Sequence, residues 1–326
     1  MSDVVPIMLT GASGFLGSEI SRHCAAQRLK VHGTGRSASG PANVSAYVAA
    51  DLTKPDEVAA ATVPSGTLIH CAGLAHQFKP VPDERFFAVN VDGTRNVVEA
   101  SLQAGTRHVV LVSSVSVYGG SPEDVIDEDT VCAPESPYAE SKLQAEAEAR
   151  TLAEAANVPL TILRMATIYG EGDPGNVAKL VRAIDRRRFV WVGNGRNLKS
   201  LIHVRDAAAA CVTAATAEPT LGTRVYNVSA DPCEMRQIVG CISDSLGKPV
   251  LPFAIPAAIP ICLAGAAGRV TAADSLPNRV GRTLKKWVAN DAYDGTRFCE
   301  DFEFTPTIKL SDGIQREADW YRSRVA

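Results

Sequence analysis

The chain has no C-x-x-C pair, no large excess of either charge, no internal repeat, and no uninterrupted apolar run long enough to span a bilayer. Each absence excludes something. Its eight cysteines (Cys24, Cys71, Cys132, Cys211, Cys233, Cys241, Cys262 and Cys299) are scattered through mostly apolar stretches. They read as small reduced core residues, not as a metal site or a disulfide framework. A net charge of −3 offers no basic field for nucleic acid or for an anionic membrane. Any anionic ligand must therefore be caught by local groups, which points to a small molecule. The longest apolar stretch, residues 253–268, is broken by Pro256 and Pro260 and is too short to cross a membrane; it reads as a buried or interface helix. Ser2 and Asp3 run at once into a short apolar segment with no basic stretch or cleavage-like site, the pattern expected of a cytoplasmic protein. With 46% hydrophobic and 21% charged residues over 326 positions, the chain is an ordinary folded one with a large core or two smaller ones.

What is present begins with a strand, a glycine turn and a helix. Residues 4–10 are a short apolar run, predicted as a buried parallel strand, and lead into Gly11-Ala12-Ser13-Gly14-Phe15-Leu16-Gly17 and a helix over about 15–27. Gly11 permits the tight turn, Gly14 lets a pyrophosphate approach the backbone, and Gly17 allows close packing of helix on strand. The helix N-terminus then faces the phosphates of a dinucleotide, NAD or NADP. A second strand, about 30–34, ends in Gly35-Arg36-Ser37, where a binder of NAD often places an acid on the ribose. The guanidinium of Arg36 suits a 2′-phosphate and leans the reading towards NADP. Asp51, beside Leu52 at the end of a third strand, fits either a hydrogen bond from the adenine amino group or a helix cap. A fourth strand from Thr67 finishes in the small residues Cys71, Ala72 and Gly73, as a backbone passing under a ribose and nicotinamide requires. Asn90 opens a further helix, and the apolar strand 107–114 finishes in Ser113 and Ser114. The strands release their polar residues at their C-terminal ends, the edge at which a doubly wound sheet binds its ligand.

Ser136 and Pro137 suit the N-cap and first position of a helix that an Ala- and Glu-rich run carries to about residue 156. Tyr138 and Lys142, four apart, share one face of it. A neighbouring ammonium favours the ionised phenol, so this tyrosine suits proton transfer near neutral pH. The same spacing also arises on solvated helix surfaces, and the order of motifs along the chain carries the case further.

Gly11, Gly14 and Gly17 are spaced as G-x-x-G-x-x-G, His70 to Gly73 close strand four, and Asn90, Gly93 and Thr94 read N-x-x-G-T. Ser114 stands four residues before Tyr118, and Tyr138 and Lys142 read Y-x-x-x-K. On these motifs the chain resembles the extended short-chain dehydrogenase/reductase family, particularly its nucleotide-sugar epimerases, dehydratases and ketoreductases. The likeness continues through Leu163-Arg164 to Tyr169-Gly170, where the family usually has proline at Met165 or Ala166, and on to Leu201 through Asp206. It spans nearly the whole chain.

The resemblance implies an α/β fold, a Rossmann-like doubly wound parallel sheet with a smaller, interleaved substrate domain. The dinucleotide-binding domain is expected over residues 1–170 with a returning segment at about 199–230, and the substrate domain over 171–198 and 231–326. It implies Ser114, Tyr138 and Lys142 as catalytic residues. Gly11, Ser13, Gly14, Phe15, Leu16, Gly17, Arg36, Asp51, Leu52, Cys71, Ala72, Gly73 and Asn90 would meet the cofactor, together with Tyr138 and Lys142. Ser116, Tyr118, Asn176, Lys199, Arg279 and Arg282 would meet the substrate; relatives commonly carry arginine where Lys199 stands, facing a diphosphate. No metal is expected. Helices at about 90–104 and 138–156 would pair across a two-fold axis in a homodimer.

The activity implied is oxidation and reduction at C4 of a nucleotide-linked sugar, with Tyr138 moving the hydroxyl proton and Ser114 steadying the oxygen. Dehydratases of the family carry carboxylates where this chain has Val115 and Ser116, so loss of water is not expected. A UDP-sugar 4-epimerase of the UDP-glucose or UDP-N-acetylglucosamine type leads, followed by an NADPH-dependent 4-ketoreductase. A dinucleotide-sensing binding protein without catalysis stands third.

Overall fold

The computed structural model describes residues 6–75, 81–120, 125–251, 253–256, 258 and 287–325. Its centre is a parallel sheet. The strands are β1 (Ile7–Thr10), β2 (Val31–Gly35), β3 (Ala46–Ala49), β4 (Thr67–His70), β5 (His108–Ser114), β6 (Leu160–Met165) and, after four short strands outside the sheet, β11 (Thr223–Val228). Their order is β11-β6-β5-β4-β1-β2-β3. Every pairing is parallel. The chain order reverses direction between β1 and β4, and the crevice beyond their carboxyl ends is where such a sheet takes a ligand.

Burial on both faces explains why β1 is apolar up to its last residue, and β6 is buried along its whole length even though it carries Thr161 and Arg164. On one face α1 (Phe15–Ala26) and α7 (Val204–Thr216) close a core around Leu9, Ile20, Ile69, Leu163 and Cys211. On the other, α2 (Pro55–Ala61), α4 (Gly93–Gln103) and α5 (Pro137–Ala155) enclose Leu68, Val97, Val98, Leu111 and Ile162. Helix α5 starts where its residues dictate. The Ser136 hydroxyl accepts the Ala139 N–H at 3.2 Å, and Pro137 occupies the first turn.

The helix expected to open at Asn90 begins earlier. A short α3 (Glu84–Phe87) runs into a wide π-helical turn, Ala88–Asp92, and this continues as α4. The turn holds Asn90 on its buried side, and widened turns of this kind recur at functional sites.

Beyond β6 the chain leaves the sheet. Strand β7 (Thr167–Tyr169) pairs in parallel with β10 (Leu201–His203), and β9 (Leu198–Lys199) pairs antiparallel with β12 (Cys233–Glu234). A second core, around Tyr169, Val181, Leu201, Ile242 and Ile314, is closed by α6 (Asn176–Asp185), α8 (Met235–Leu246) and the last helix, α10 (Leu310–Val325). Among the described residues no helix is long and apolar enough to cross a membrane, and no group of three metal-ligating side chains is assembled. Arg279 and Arg282 lie outside the described residues.

Candidate functional site

The glycine turn has the shape a dinucleotide needs. Gly11 has φ +69°, and a methyl group there would fall 2.8 Å from the Ala72 backbone. One on Gly17 would fall 2.0 Å from the Gly11 carbonyl oxygen, so helix and strand meet at a distance only glycine permits. Gly14 is the N-cap of α1, no side chain caps that helix, and no acidic residue stands in its first turn. Ser13 and Gly14 are exposed. The free N–H groups and positive end of the helix dipole are therefore available to a pyrophosphate, and the cradle fits the cofactor.

The remaining cofactor positions surround this turn. Phe15 and Leu16 enter α1, with Leu16 buried in the core. Arg36 follows β2 and is exposed. The Asp51 carboxylate accepts the Thr53 N–H and hydroxyl at 3.0 and 2.8 Å, bonds that hold it below the usual carboxylate range. Its side chain thus closes the turn before α2, whose N-cap position is Lys54. Leu52 is buried against Gly93. Cys71, Ala72 and Gly73 follow β4, and burial pushes the Cys71 thiol up to about 12, which keeps it protonated.

A buried polar chain bolts this edge together. The Thr10 hydroxyl meets His70 Nδ1 at 2.6 Å and accepts the Ala72 N–H at 3.2 Å, and His70 Nε2 meets the Thr94 hydroxyl at 2.9 Å. Burial lowers His70 to about 3, so the ring stays neutral. Asn90 Oδ1 accepts the Leu74 N–H at 2.7 Å while its Nδ2 donates to the Leu74 carbonyl and to Ser141 Oγ. Ser141 Oγ in turn donates to the Tyr138 carbonyl. Asn90 therefore ties the loop after β4 to the first turn of α5, a link absent from the sequence reading.

The structure brings Ser114, Tyr138 and Lys142 together. Tyr138 is packed edge-on against Phe86, and Ser114 is the side chain that pulls its phenol down against burial. The Ser114 oxygen accepts the Ser116 N–H at 3.2 Å. Lys142, 7% exposed, donates from Nζ to the Val112 carbonyl at 2.7 Å. Burial lowers it to about 8, opposed chiefly by the charge of Glu146. One expectation is corrected here. Burial raises the Tyr138 phenol, and the group that pulls it back is Ser114, not Lys142. The Lys142 ammonium is turned to the Val112 carbonyl at the end of β5.

The substrate positions divide. Ser116, half-buried, has an enclosed hydroxyl oxygen with no protein partner, as a group awaiting a ligand would. Tyr118 is different: its ring is 3% exposed, its hydroxyl donates to Asn227 at 2.8 Å, and the Arg164 guanidinium lies 4.8 Å from its ring centre. Its polar atom is committed to the protein, and the ring braces the wall behind Ser114. Lys199 forms an ion pair with Asp291 at 2.5 Å. Asn176 is exposed at the start of α6.

Behind Lys142, on the same face of α5, lies Glu146, 1% exposed. Its carboxylate accepts from Ser113 Oγ at 2.5 Å and from Arg164 Nε and Nη2 at 3.1 and 2.7 Å. The sequence reading passed over it as part of a helix-forming run. The spacing of four from Lys142 was the available signal.

Comparison with known proteins agrees with this geometry. Residues 7–229 match the model of the NAD dependent epimerase/dehydratase family. An Escherichia coli O157:H7 protein, N-acetyl-alpha-D-glucosaminyl-diphospho-ditrans,octacis-undecaprenol 4-epimerase, is 31% identical over 74% of this chain and 73% of its own. A 2-alkyl-3-oxoalkanoate reductase of Shewanella oneidensis is 29% identical over 94% of this chain and 84% of its own. Among solved structures, MoeE5 in complex with UDP-glucose and NAD superposes with a TM-score of 0.77 at 25% identity, covering 98% of this chain and all of that one. With residues 7–229 matched by the family model, and a relative 31% identical over 74% of its length, the chain is an enzyme belonging to the NAD dependent epimerase/dehydratase family.

Proposed function

We propose that the enzyme is a nucleotide-sugar C4 oxidoreductase that works as a UDP-sugar 4-epimerase, of the UDP-glucose or UDP-N-acetylglucosamine type. The observation that carries this is Tyr138 and Lys142 one turn apart on α5, with Lys142 buried and bonded to the Val112 carbonyl at the carboxyl end of the strand that finishes in Ser114. The cofactor, when bound in its oxidised form, supplies a hydride acceptor and a positive ring charge that the protein alone lacks. Tyr138 takes the C4 hydroxyl proton and later returns it. Ser114 holds the same oxygen, and Lys142 meets the nicotinamide ribose. Ser116 offers its unpartnered hydroxyl to the sugar. The 4-keto sugar then turns within the pocket, and hydride is returned to its other face.

The relatives support the cofactor and substrate class: the MoeE5 structure holds UDP-glucose and NAD, and the Escherichia coli relative is named a 4-epimerase. NAD is the cofactor proposed, and the lean towards NADP rests on Arg36 alone. Helices α4 and α5 are the proposed homodimer contact.

A second reading, an NADPH-dependent 4-ketoreductase, is favoured by exposed Arg36 at the end of β2 and by the raised Tyr138 phenol, which suits a proton donor. Purified enzyme incubated with UDP-glucose, UDP-galactose and their N-acetyl forms, without added reductant, separates the two. Epimer formed with no net change in nicotinamide absorbance supports the epimerase, and turnover that requires stoichiometric NADPH supports the reductase. Tyr138→Phe is expected to lower turnover by about 10²–10⁴-fold while leaving cofactor affinity nearly unchanged. Turnover by this variant equal to that of the unmodified enzyme would remove the tyrosine from the chemistry.

A further inference from the structure

The catalytic lysine does not stand alone on its helix. Lys142 and Glu146 are successive residues of one buried face, and each contacts the end of the same strand: Lys142 the Val112 carbonyl, Glu146 the hydroxyl of Ser113. Arg164, on the neighbouring strand β6, grips both carboxylate oxygens, and its guanidinium rests over Tyr118, whose hydroxyl is fixed to Asn227. Glu146 is thus held by three hydrogen bonds from two residues at a site closed to water.

We propose that Glu146 is a positioning residue which, clamped by Arg164 and Ser113, fixes Lys142 against the end of β5 and holds it aimed at the cofactor. This rests on the assignment of Lys142 to the cofactor side of the site. A rigid carboxylate one turn behind an ammonium does two things. It sets the helix against the strand, so that the Lys142 side chain has one low-energy path. It also stabilises the charged form of an amine that burial would otherwise neutralise.

The groups facing Lys142 leave Glu146 as the means of doing this. His70, after burial, is neutral; Cys71, pushed up to about 12, carries no charge near neutral pH; the Tyr138 phenol is raised; and Asn90 and Ser141 are uncharged. Glu146 heads the charges that raise Lys142, against the burial that brings it down to about 8. Since the folded-state value is already near the working range, loss of this support moves the deprotonation of Lys142 to lower pH.

The test is the pH profile of Glu146→Gln, read in two ways. The first is the dissociation constant for NADH, followed by fluorescence from acid to alkaline pH, which needs no substrate. The second is turnover of the preferred sugar nucleotide. In the unmodified enzyme both weaken on the alkaline side as Lys142 loses its proton. In Glu146→Gln that limb is expected to move to lower pH by about one unit or more, with affinity at the acid plateau retained. Glu146→Asp, which keeps the charge, should restore most of the displacement.

Because the single variant leaves Arg164 buried without its partner, the double variant Glu146→Gln with Arg164→Met provides a folded comparison, and it is expected to show the same direction of shift. An alkaline limb unmoved in both the single and the double variant would overturn the proposal, as would a uniform loss across the whole pH range that Glu146→Asp does not repair. Failure of every sugar nucleotide to turn over would count against the epimerase reading alone, because the NADH titration would still report on Glu146.

Discussion

Two buried carboxylates show how differently the two cores of this enzyme treat charge. Glu146 in α5 and Glu317 in α10 are each 1% exposed. Glu146 accepts three hydrogen bonds, two of them from the guanidinium of Arg164. Among the described residues neither oxygen of Glu317 meets a hydrogen-bond partner of good geometry, and burial, with the charges of Asp173 and Glu171 adding to it and the Gly170 backbone opposing it, pushes its carboxyl up to about 9. One acid is an ion held in a cage. The other is kept neutral by the same degree of burial without one. The lesson is that burial alone does not decide a charge state: the Arg164 fork does, and it stands where the catalytic helix meets the sheet.

The comparison is broken most severely by Arg164→Ala, which turns Glu146 into a second orphan. Removing one partner of a buried pair leaves the other uncompensated, and a loss of about 3–5 kcal/mol in unfolding free energy is expected. Chemical denaturation measures it, and a loss comparable to that of an exposed pair would mean that water reaches Glu146. Such exposed pairs contribute only about 0–1 kcal/mol.

Glu317→Gln works in the opposite direction. A carboxyl whose native value is raised above its unfolded one binds its proton more tightly when folded, so the native state loses stability as pH rises from the ordinary glutamate range towards 9. Each unit of that interval costs up to about 1.4 kcal/mol. The glutamine variant should therefore be the more stable protein at neutral pH, by up to about 3.5 kcal/mol, and nearly equal to the unmodified one in acid. Thermal unfolding across that range tests it, and parallel curves for the two proteins would contradict it.

The smallest expected effect is at Gly313, one turn before Glu317 on α10. A methyl group there would fall 2.5 Å from the Tyr169 hydroxyl and 2.9 Å from the His203 ring. Overpacking of this kind costs about 1–3 kcal/mol. Replacing a helical glycine by alanine returns up to about 1 kcal/mol. Gly313→Ala should be destabilised by about 1 kcal/mol net, measured by the same unfolding curves. A stabilised variant would show that α10 has room to shift away from Tyr169.

The half of the molecule that carries the cofactor was legible because its signals are local. A strand, three glycines and a helix follow one another in the first 26 residues, and Ser136, Pro137, Tyr138 and Lys142 sit within seven. What escaped is what depends on distant partners. Glu146 meets Ser113 and Arg164 across 33 and 18 residues, and Tyr118 is fixed by Asn227 across 109. No periodicity reports such pairings. The same limit explains the misjudged influence of Lys142 on Tyr138: the spacing put the two on one face, but the direction of the ammonium was decided by a carbonyl at the end of β5. The reading of Asp51 stood between a base contact and a helix cap; its carboxylate holds Thr53 in the turn ahead of α2, whose own N-cap position, Lys54, has no side-chain cap. The π-helical turn at Asn90 left no mark in the sequence either, since only the fold brings Leu74 and Ser141 to its side chain.

The claim that hydride leaves and returns at C4, with Tyr138 moving the proton, is tested most directly with a UDP-sugar deuterated at C4. Epimer should form more slowly than from the undeuterated sugar and keep the deuterium at C4, while Tyr138→Phe forms it about 10²–10⁴-fold more slowly than the unmodified enzyme. Epimer that has lost the label to solvent, or that forms at the undeuterated rate from the Tyr138→Phe protein, would contradict the account.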